Sequence, residues 1–559
     1  MKFLKHITIP SVLSATLLLV SACQENLLDV VPTDRVSDAS ILSDSVLFEA
    51  YVTNRYLGTR LTEKEAEGTL PGFGRGFEYA MWSSVTDESI YNNDDNTWLI
   101  QRGQLAPENT GIAGTFWGRS YRSIREVNYA LANIGEVPLS ESRRKALKGE
   151  LQFIRAFRYH DLIRNYGRVV LLGDKVYEIS DNLTSPELFT RSDIKAGIDY
   201  VVAQLDEAIA QLPATNGGSW ALGRATKSAA MALKARMLLY GASPLYNAAT
   251  WQAAAAAAKA VMDLNQYSLY TGGYGNMFSG TTYNSEVIFG RLYAQGARHV
   301  CLEIANGPNS YNAWGGNVPL QNMVDAYEMA ATGLPITNPA SGYNAQDPYK
   351  GRDPRFYATI LYNDVAYRNS TIQTFIPGGK DSKDGPSNWN TSKTGYYLKK
   401  FMNDNLPIDN PWDIAGTQIW IYFRLAEVML NYAEAQNEAV GPDASVYAAV
   451  NAIRQRAGMP ALPTGLTQAQ MRDRIRNERR VELAFEEHRF YDVRRWKIAP
   501  QTENVPAYGI EITKTGTTYT YKTKEALTGR SFAEKQYWLP IPRAEIQASN
   551  NQLEQNPGY

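Results

Sequence analysis

The clearest signal along the chain is an apolar stripe that returns at three- and four-residue steps. Between Glu141 and Gly167 it runs through Phe153, Ala156, Tyr159, Ile163 and Tyr166. A second stripe joins Ile194, Ile198, Val201, Leu205, Ile209 and Leu212 and stops before Pro213, and a third of small residues joins Ala225, Ala229, Ala232, Ala235 and Leu239 before Gly241 and Pro244. Ile421, Leu425, Val428, Tyr432 and Ala435 form a fourth, and Val446, Val450, Ile453 and Ala457, closed by Gly458, a fifth. This is the period of a helix rather than the alternation of a strand. Thr467 and Gln470 read as a capping box that opens one more helix.

Small residues on facing stripes let helices approach closely. The pattern predicts antiparallel pairs of 117–134 with 141–166, 193–213 with 225–241, and 419–437 with 443–457. Such hairpins resemble tetratricopeptide units, although no strict period repeats. The predicted fold is therefore mainly α: a tetratricopeptide-like helical-hairpin scaffold with long loops and a few short strands. The loops are 68–116, 271–320, 333–418 and 500–536, rich in Gly, Asn, Pro, Tyr and Trp. Tyr519 to Thr523, after a glycine turn, reads as a short strand. A scaffold decorated in this way puts function on its loops.

The N-terminus adds an address. Lys2 and Lys5 precede an apolar stretch from Ile7 to Val20, and Leu19-Val20-Ser21-Ala22-Cys23 reads as a bacterial lipobox. Residues 1–22 are expected to be a signal peptide, with Cys23 lipidated at the mature N-terminus. The h-region is too short and too interrupted for a membrane span, so the body is expected to be soluble and tethered. With Cys23 committed to lipid, Cys301 has no intramolecular partner and the fold is built without disulfides. A net charge of −1 with interspersed signs argues against nucleic acid. Tyrosine outnumbers phenylalanine 35 to 17, which suits wet binding surfaces. Arg479, Glu482, Glu486, Arg489 and Asp492 fall at helical spacing and predict an ion-pair lattice on the scaffold. His488 and Asp492 lack an accompanying nucleophile elbow, metal-binding His pair or phosphate loop. No enzyme, cofactor or catalytic residue is expected.

Two C-terminal blocks carry a family resemblance. They are Asn451-Ala-Ile-Arg-Gln-Arg-Ala-Gly-Met-Pro460 and Glu478-Arg-Arg-Val-Glu-Leu-Ala-Phe-Glu-Glu-His-Arg-Phe-Tyr-Asp-Val-Arg-Arg-Trp496. The tail Leu539-Pro-Ile-Pro-Arg-Ala-Glu-Ile546 and the ending Gln555-Asn-Pro-Gly-Tyr559 agree with them. The chain resembles the SusD/RagB surface glycan-binding lipoproteins over essentially its whole mature length. It departs at Glu487, where members often carry glycine. The resemblance implies one SusD-like domain over 23–559, with an N-terminal part of about 23–240 and a C-terminal part of about 270–559. It further implies a non-catalytic lipoprotein of the outer membrane facing the exterior. Such a protein binds oligo- or polysaccharide and serves as a lid on a SusC-like, TonB-dependent transporter.

Within that family glycans meet loop aromatics flanked by planar polar groups, because sugar rings offer apolar C–H faces and a rim of hydroxyls. Two loops have this makeup: Asp87 to Arg102, and Asn306 to Asn317 preceded by Tyr293. Trp98, Tyr293 and Trp314 are expected as platforms, with Asp94, Asn96 and Arg102 as polar contacts and Trp82 and Trp389 as weaker alternates. The run Asn92 to Asn96 also suggests calcium, but it lacks the glycine and distal glutamate of an EF-hand loop. Two other functions stay open: a peptide-binding lid, and a surface glycosidase using two carboxylates.

Overall fold

Helices begin where a side-chain oxygen meets the free N–H groups of the first turn. The computed structural model describes residues 38–57, 75–114, 116–178, 180–386, 388–406 and 416–559; the lipobox and Cys23 lie outside them. Helix α1 (Phe116–Asn133) is followed by α2 (Glu141–Tyr166), capped by Ser140, and α3 (Ile194–Gln211), capped by Asp193. Then come α4 (Lys227–Ala242), capped by Thr226, and α5 (Trp251–Met262), capped by Thr250. The C-terminal half supplies α6 (Leu425–Val440), α7 (Ala444–Arg456), capped by Asp443, α8 (Gln468–Glu482) and α9 (Arg489–Arg495). Thr467 and Gln470 form the expected capping box of α8. Helix α2 ends at Gly167, whose φ of 72° suits glycine and whose missing side chain leaves room for the Trp538 ring.

Each helix packs against the next, α1 on α2 through α4 on α5, and α6 lies against α5, α7 and α8. The three expected pairs are all present. The α5–α6 contact joins the two halves of the scaffold across 162 intervening residues, 263 to 424. Val201, Leu205 and Ala208 of α3 and Ala229, Leu233 and Met237 of α4 are buried where the stripes meet. Each fully buried large aliphatic side chain contributes about 1.5–3 kcal/mol.

Two elements differ from the sequence reading. Residues 420–424, read as the start of a helix, form strand β4 (Trp420–Arg424), which pairs antiparallel with β2 (Val287–Arg291). All five residues of β4 are buried, so the strand shows no alternation. The strand expected at Tyr519–Thr523 after a glycine turn is present but longer: β6 (Thr518–Leu527) pairs with β5 (Ala507–Thr515) in a hairpin turning at Gly516 and Thr517. Two further strands, β1 (Ser89–Tyr91) and β3 (Asn317–Pro319), form an antiparallel ribbon.

The charged lattice is buried inside the scaffold rather than laid along one helix. The backbone leaves helical geometry after Glu482, with φ of 63° at Phe485 and 64° at Glu487, before α9 resumes. Arg424 pairs with Glu286, Glu482 and Glu486 at 2.6–2.7 Å. Glu482 also holds Arg355 and Arg456. Asp492 bridges Arg479 and Arg495, which occupies the carboxylate beside His488. Burial opposes ionisation of Glu482, but Arg456, Arg424 and Arg355 outweigh it and hold its carboxyl well below the ordinary range. Partners at 286, 355, 424 and 456 make this a device that joins segments distant in sequence.

Candidate functional site

The β1–β3 ribbon brings the two aromatic loops together. Ser89, Ile90 and Tyr91 pair with Pro319, Val318 and Asn317, and Asn92 N–H donates to the Gly316 carbonyl at 2.7 Å. A side chain at Gly316 would collide with the Ala305 carbonyl and the Tyr91 ring. A third segment joins them: Asn92 Nδ2 donates to the Thr391 carbonyl at 2.9 Å, and Lys393 N–H donates to Asn92 Oδ1 at 2.9 Å. Asn93 Nδ2 donates to Asn390 Oδ1 at 3.4 Å.

The acidic and amide run that suggested calcium has a backbone explanation. Asp94, Asp95 and Asn96 take φ values of 69°, 49° and 62°, a left-handed stretch that Asn and Asp tolerate best after glycine. Asp94 Oδ1 accepts the Trp98 N–H at 2.9 Å, starting a short helix at Thr97–Gln101. No group of three His, Cys, Asp or Glu side chains among the described residues is placed to hold a metal ion.

This turn sets Trp98 half-buried, its Nε1 donating to the Tyr91 carbonyl at 2.9 Å. The Arg102 guanidinium lies 5.2 Å from the Trp98 ring and the Lys393 ammonium 5.6 Å from it. Arg102 also donates to the Thr528 carbonyl at 3.2 Å. Trp314, half-buried, stands 5.6 Å from Tyr79 at 34°, and Tyr79 is 39% exposed. Asn317 Nδ2 donates to the Tyr79 carbonyl at 2.7 Å, fixing that residue to the ribbon. Trp389 is 71% exposed and sits next to Asn390, whose carbonyl packs against Gly315. Burial, helped by the charge of Asp95 and by Tyr79, pushes the Tyr91 phenol well above its ordinary value. Its hydroxyl therefore stays a neutral donor.

Asp94, Asn96, Trp98 and Arg102 thus lie on one loop and Trp314 on the other, and the ribbon joins the two loops. Tyr293 does not join them. It is only 8% exposed, with His299 4.6 Å and Phe77 6.0 Å away, and the Arg291 guanidinium 4.6 Å from its ring. Enclosure on these sides leaves no face for a sugar ring. Trp82 is fully buried against Phe490 at 4.4 Å. Sequence reasoning missed Tyr79 and Lys393. Tyr79 carried a signal, a tyrosine in a glycine-rich stretch before the first aromatic loop; Lys393 carried none.

The SusD family model matches residues 249–559, more than half of the chain. The chain belongs to the SusD family. The model described as "Starch-binding associating with outer membrane" matches residues 34–239. SusD-like protein P2 of Formosa agariphila is 24% identical over 534 residues, covering 86% of this chain and 90% of its own. A SusD-like protein from Bacteroides fragilis has a TM-score of 0.76 at 30% identity, covering 95% of this chain and 100% of that one. A laminarin-binding SusD-like protein has the same fold, with a TM-score of 0.65 at 24% identity over 92% of this chain and 100% of that one. The departure at Glu487 falls where φ is 64°, a conformation that glycine fills without strain.

Proposed function

We propose that this SusD-family protein binds a glycan across the Trp98–Trp314 face without transforming it. It then passes the glycan to a SusC-like, TonB-dependent outer-membrane transporter. The observation that carries the reading is the joining of two loops by the β1–β3 ribbon. The loops carry Trp98 and Trp314, Tyr79 and the neighbour of Trp389 are hydrogen-bonded to them, and Arg102 and Lys393 lie by the Trp98 ring. Flat rings take the C–H faces of sugars, and the polar groups take hydroxyls. The laminarin-binding neighbour and the matched family of starch-binding proteins that associate with the outer membrane support the same ligand class and location. A peptide lid would instead favour an apolar groove or a free strand edge. Here the Trp98 ring is flanked by the Arg102 and Lys393 cations rather than by an apolar groove.

Lipidation at Cys23 would hold the body at the outer surface beside its barrel. Calorimetric titration with laminarin and with soluble starch tests glycan capture, and extraction in mild detergents tests the partner. Binding of at least one polysaccharide without new reducing ends, with co-purification of a large barrel, is the expected result. Absence of binding, or release of reducing ends, overturns the capture reading. Recovery of the chain alone in every detergent overturns the transporter reading.

A further inference from the structure

The β5–β6 hairpin leans over a second cleft that shares no lining residue with the Trp98–Trp314 face. Its volume is about 640 Å³, within the range of small-molecule sites, roughly 300–1,000 Å³. Tyr519 and Tyr521 stand two residues apart on β6, so both rings project from the same face of the strand. Opposite them lie Tyr349 and Tyr362, whose rings are 4.5 Å apart, and Tyr521 meets Tyr349 edge-on at 5.8 Å. The cleft is therefore lined by aromatic rings, but these rings carry hydroxyls and the rim is polar.

Asp364, in a left-handed turn with φ of 66°, accepts the Tyr519 hydroxyl at 3.1 Å. Asp347 and Lys350 are exposed at the opposite lip. Asn363 lines the cleft and is only 3% exposed; its Oδ1 accepts the Thr374 N–H at 3.0 Å. Its Nδ2 lies near the Tyr519 hydroxyl without a hydrogen bond of good geometry.

We propose that this cleft is a second binding site, for a neutral oligosaccharide. Aromatic faces with a rim of carboxylate, amide and ammonium groups match sugar C–H faces and hydroxyls. An apolar peptide would leave the exposed Asp347, Lys350 and Asp364 groups of the rim unmatched. Two carboxylates against one lysine disfavour a sulfated or uronic-acid chain. A second site on the same body raises retention of a long polysaccharide through effective concentration, with no new contact at the first.

Affinity electrophoresis of the full chain in gels carrying laminarin, soluble starch or carrageenan tests the proposal. With Trp98→Ala and Trp314→Ala combined, retardation in a neutral gel should weaken yet persist. Adding Tyr519→Ala should reduce the residual affinity about tenfold, while Tyr519→Phe should retain most of it. Should the tyrosine variant fail to fold, Asp347→Ala changes an exposed rim residue and should lower the same residual affinity. Complete loss in the tryptophan variant alone overturns the second site and leaves the first standing. Residual retardation that ignores Tyr519→Ala and Asp347→Ala also overturns it. Equal retardation by sulfated carrageenan overturns its neutral character. If Tyr519→Ala instead leaves gel mobility unchanged and abolishes barrel co-purification, the cleft is a protein interface. No retardation of the wild type in either neutral gel overturns both sites together.

Discussion

Asp87 and Arg489, separated by 402 residues, form a two-pronged ion pair in which Nε and Nη2 each donate to a carboxylate oxygen at 2.8 Å. Arg480 adds a third contact at 2.8 Å. Burial opposes ionisation of Asp87, but Arg480 and Arg489 overcome it and hold the carboxyl well below its ordinary value. Because Asp87 lies two residues before β1, this pair ties the ribbon to the charged C-terminal block. Asp87→Ala should therefore cost about 3–5 kcal/mol, since it strands the buried Arg489 guanidinium and the partly buried Arg480 beside it. Glu554→Ala, which breaks an exposed pair with Arg168, should cost about 0–1 kcal/mol. Urea unfolding of both variants makes the comparison, and similar losses would refute the buried-pair argument. Asp87→Ala should also weaken glycan binding, although no change occurs among the platforms themselves.

Glu487 combines a left-handed backbone with a buried carboxyl that accepts the Trp82 N–H at 3.0 Å. Both Glu487→Ala and Glu487→Gly lose that acceptor. Only glycine also removes the steric cost of positive φ, about 1–2 kcal/mol. The glycine variant should be the more stable of the two by that margin in chemical denaturation. Equal stabilities would show that the backbone there is unstrained.

The helical scaffold was legible because its stripes contrast with polar neighbours, as along Ile194 to Leu212. Helix α5 was not assigned, since its alanine run offers little contrast between the buried Ala254, Ala255 and Ala258 and their exposed neighbours. Strand β4 was misread because burial on both faces erases alternation. Charges at 479, 482 and 486 announced a lattice but not its burial, which depends on partners such as Glu286 and Arg424 far along the chain. Composition picked out the two aromatic loops, and the structure joins them through the β1–β3 ribbon. It failed for Tyr293, because Phe77 and His299 reach that ring only through the tertiary fold.

Stability should fall as pH rises from 7 to 8. Burial pushes the Glu88 carboxyl up to about 8, with the Asp87 charge adding to it against Arg489 and Arg480. The folded state then keeps a proton that the unfolded chain gives up near the ordinary glutamate value. The stabilisation from that retained proton is complete below the unfolded value and is lost as pH rises through the folded one. Glu487, pushed up to about 7 by burial, behaves in the same way but finishes earlier. Buried His160 and His488, held well below their ordinary value, act in the opposite sense, and only below about pH 6.5. The Glu88 contribution should approach about 1.4 kcal/mol per pH unit near pH 6 to 7 and shrink to about half of that at pH 8. Denaturation midpoints across this range should slope downward in the wild type and flatten in Glu88→Gln. A flat wild-type profile would count against the protonated state.

Membrane attachment should depend on Cys23 alone. Among the described residues no helix is long and apolar enough to cross a membrane. Cys23→Ala should move the protein to the soluble fraction with an unchanged melting curve, in cells lacking the partner barrel. Persistent membrane association there would require another anchor.

The aromatic face makes a last prediction that separates binding from folding. Trp314 is half-buried beside Tyr79 and Trp389 is mostly exposed, whereas Tyr293 is enclosed in the core. Trp314→Ala and Trp98→Ala should each lose about 1–3 kcal/mol of glycan binding, on the scale of ring stacking against nucleobases. Trp98→Ala should also lose some stability, because its indole N–H anchors the turn to Tyr91. Trp389→Ala should leave unfolding unchanged, and any loss of affinity would place it at the ligand. Tyr293→Ala should show the opposite balance, a stability loss of about 3–5 kcal/mol typical of a buried aromatic with little direct effect on binding. Titration calorimetry with laminarin and thermal unfolding on the same four variants provide both readouts. If Trp98→Ala and Trp314→Ala bind as tightly as wild type, the glycan does not rest on these rings.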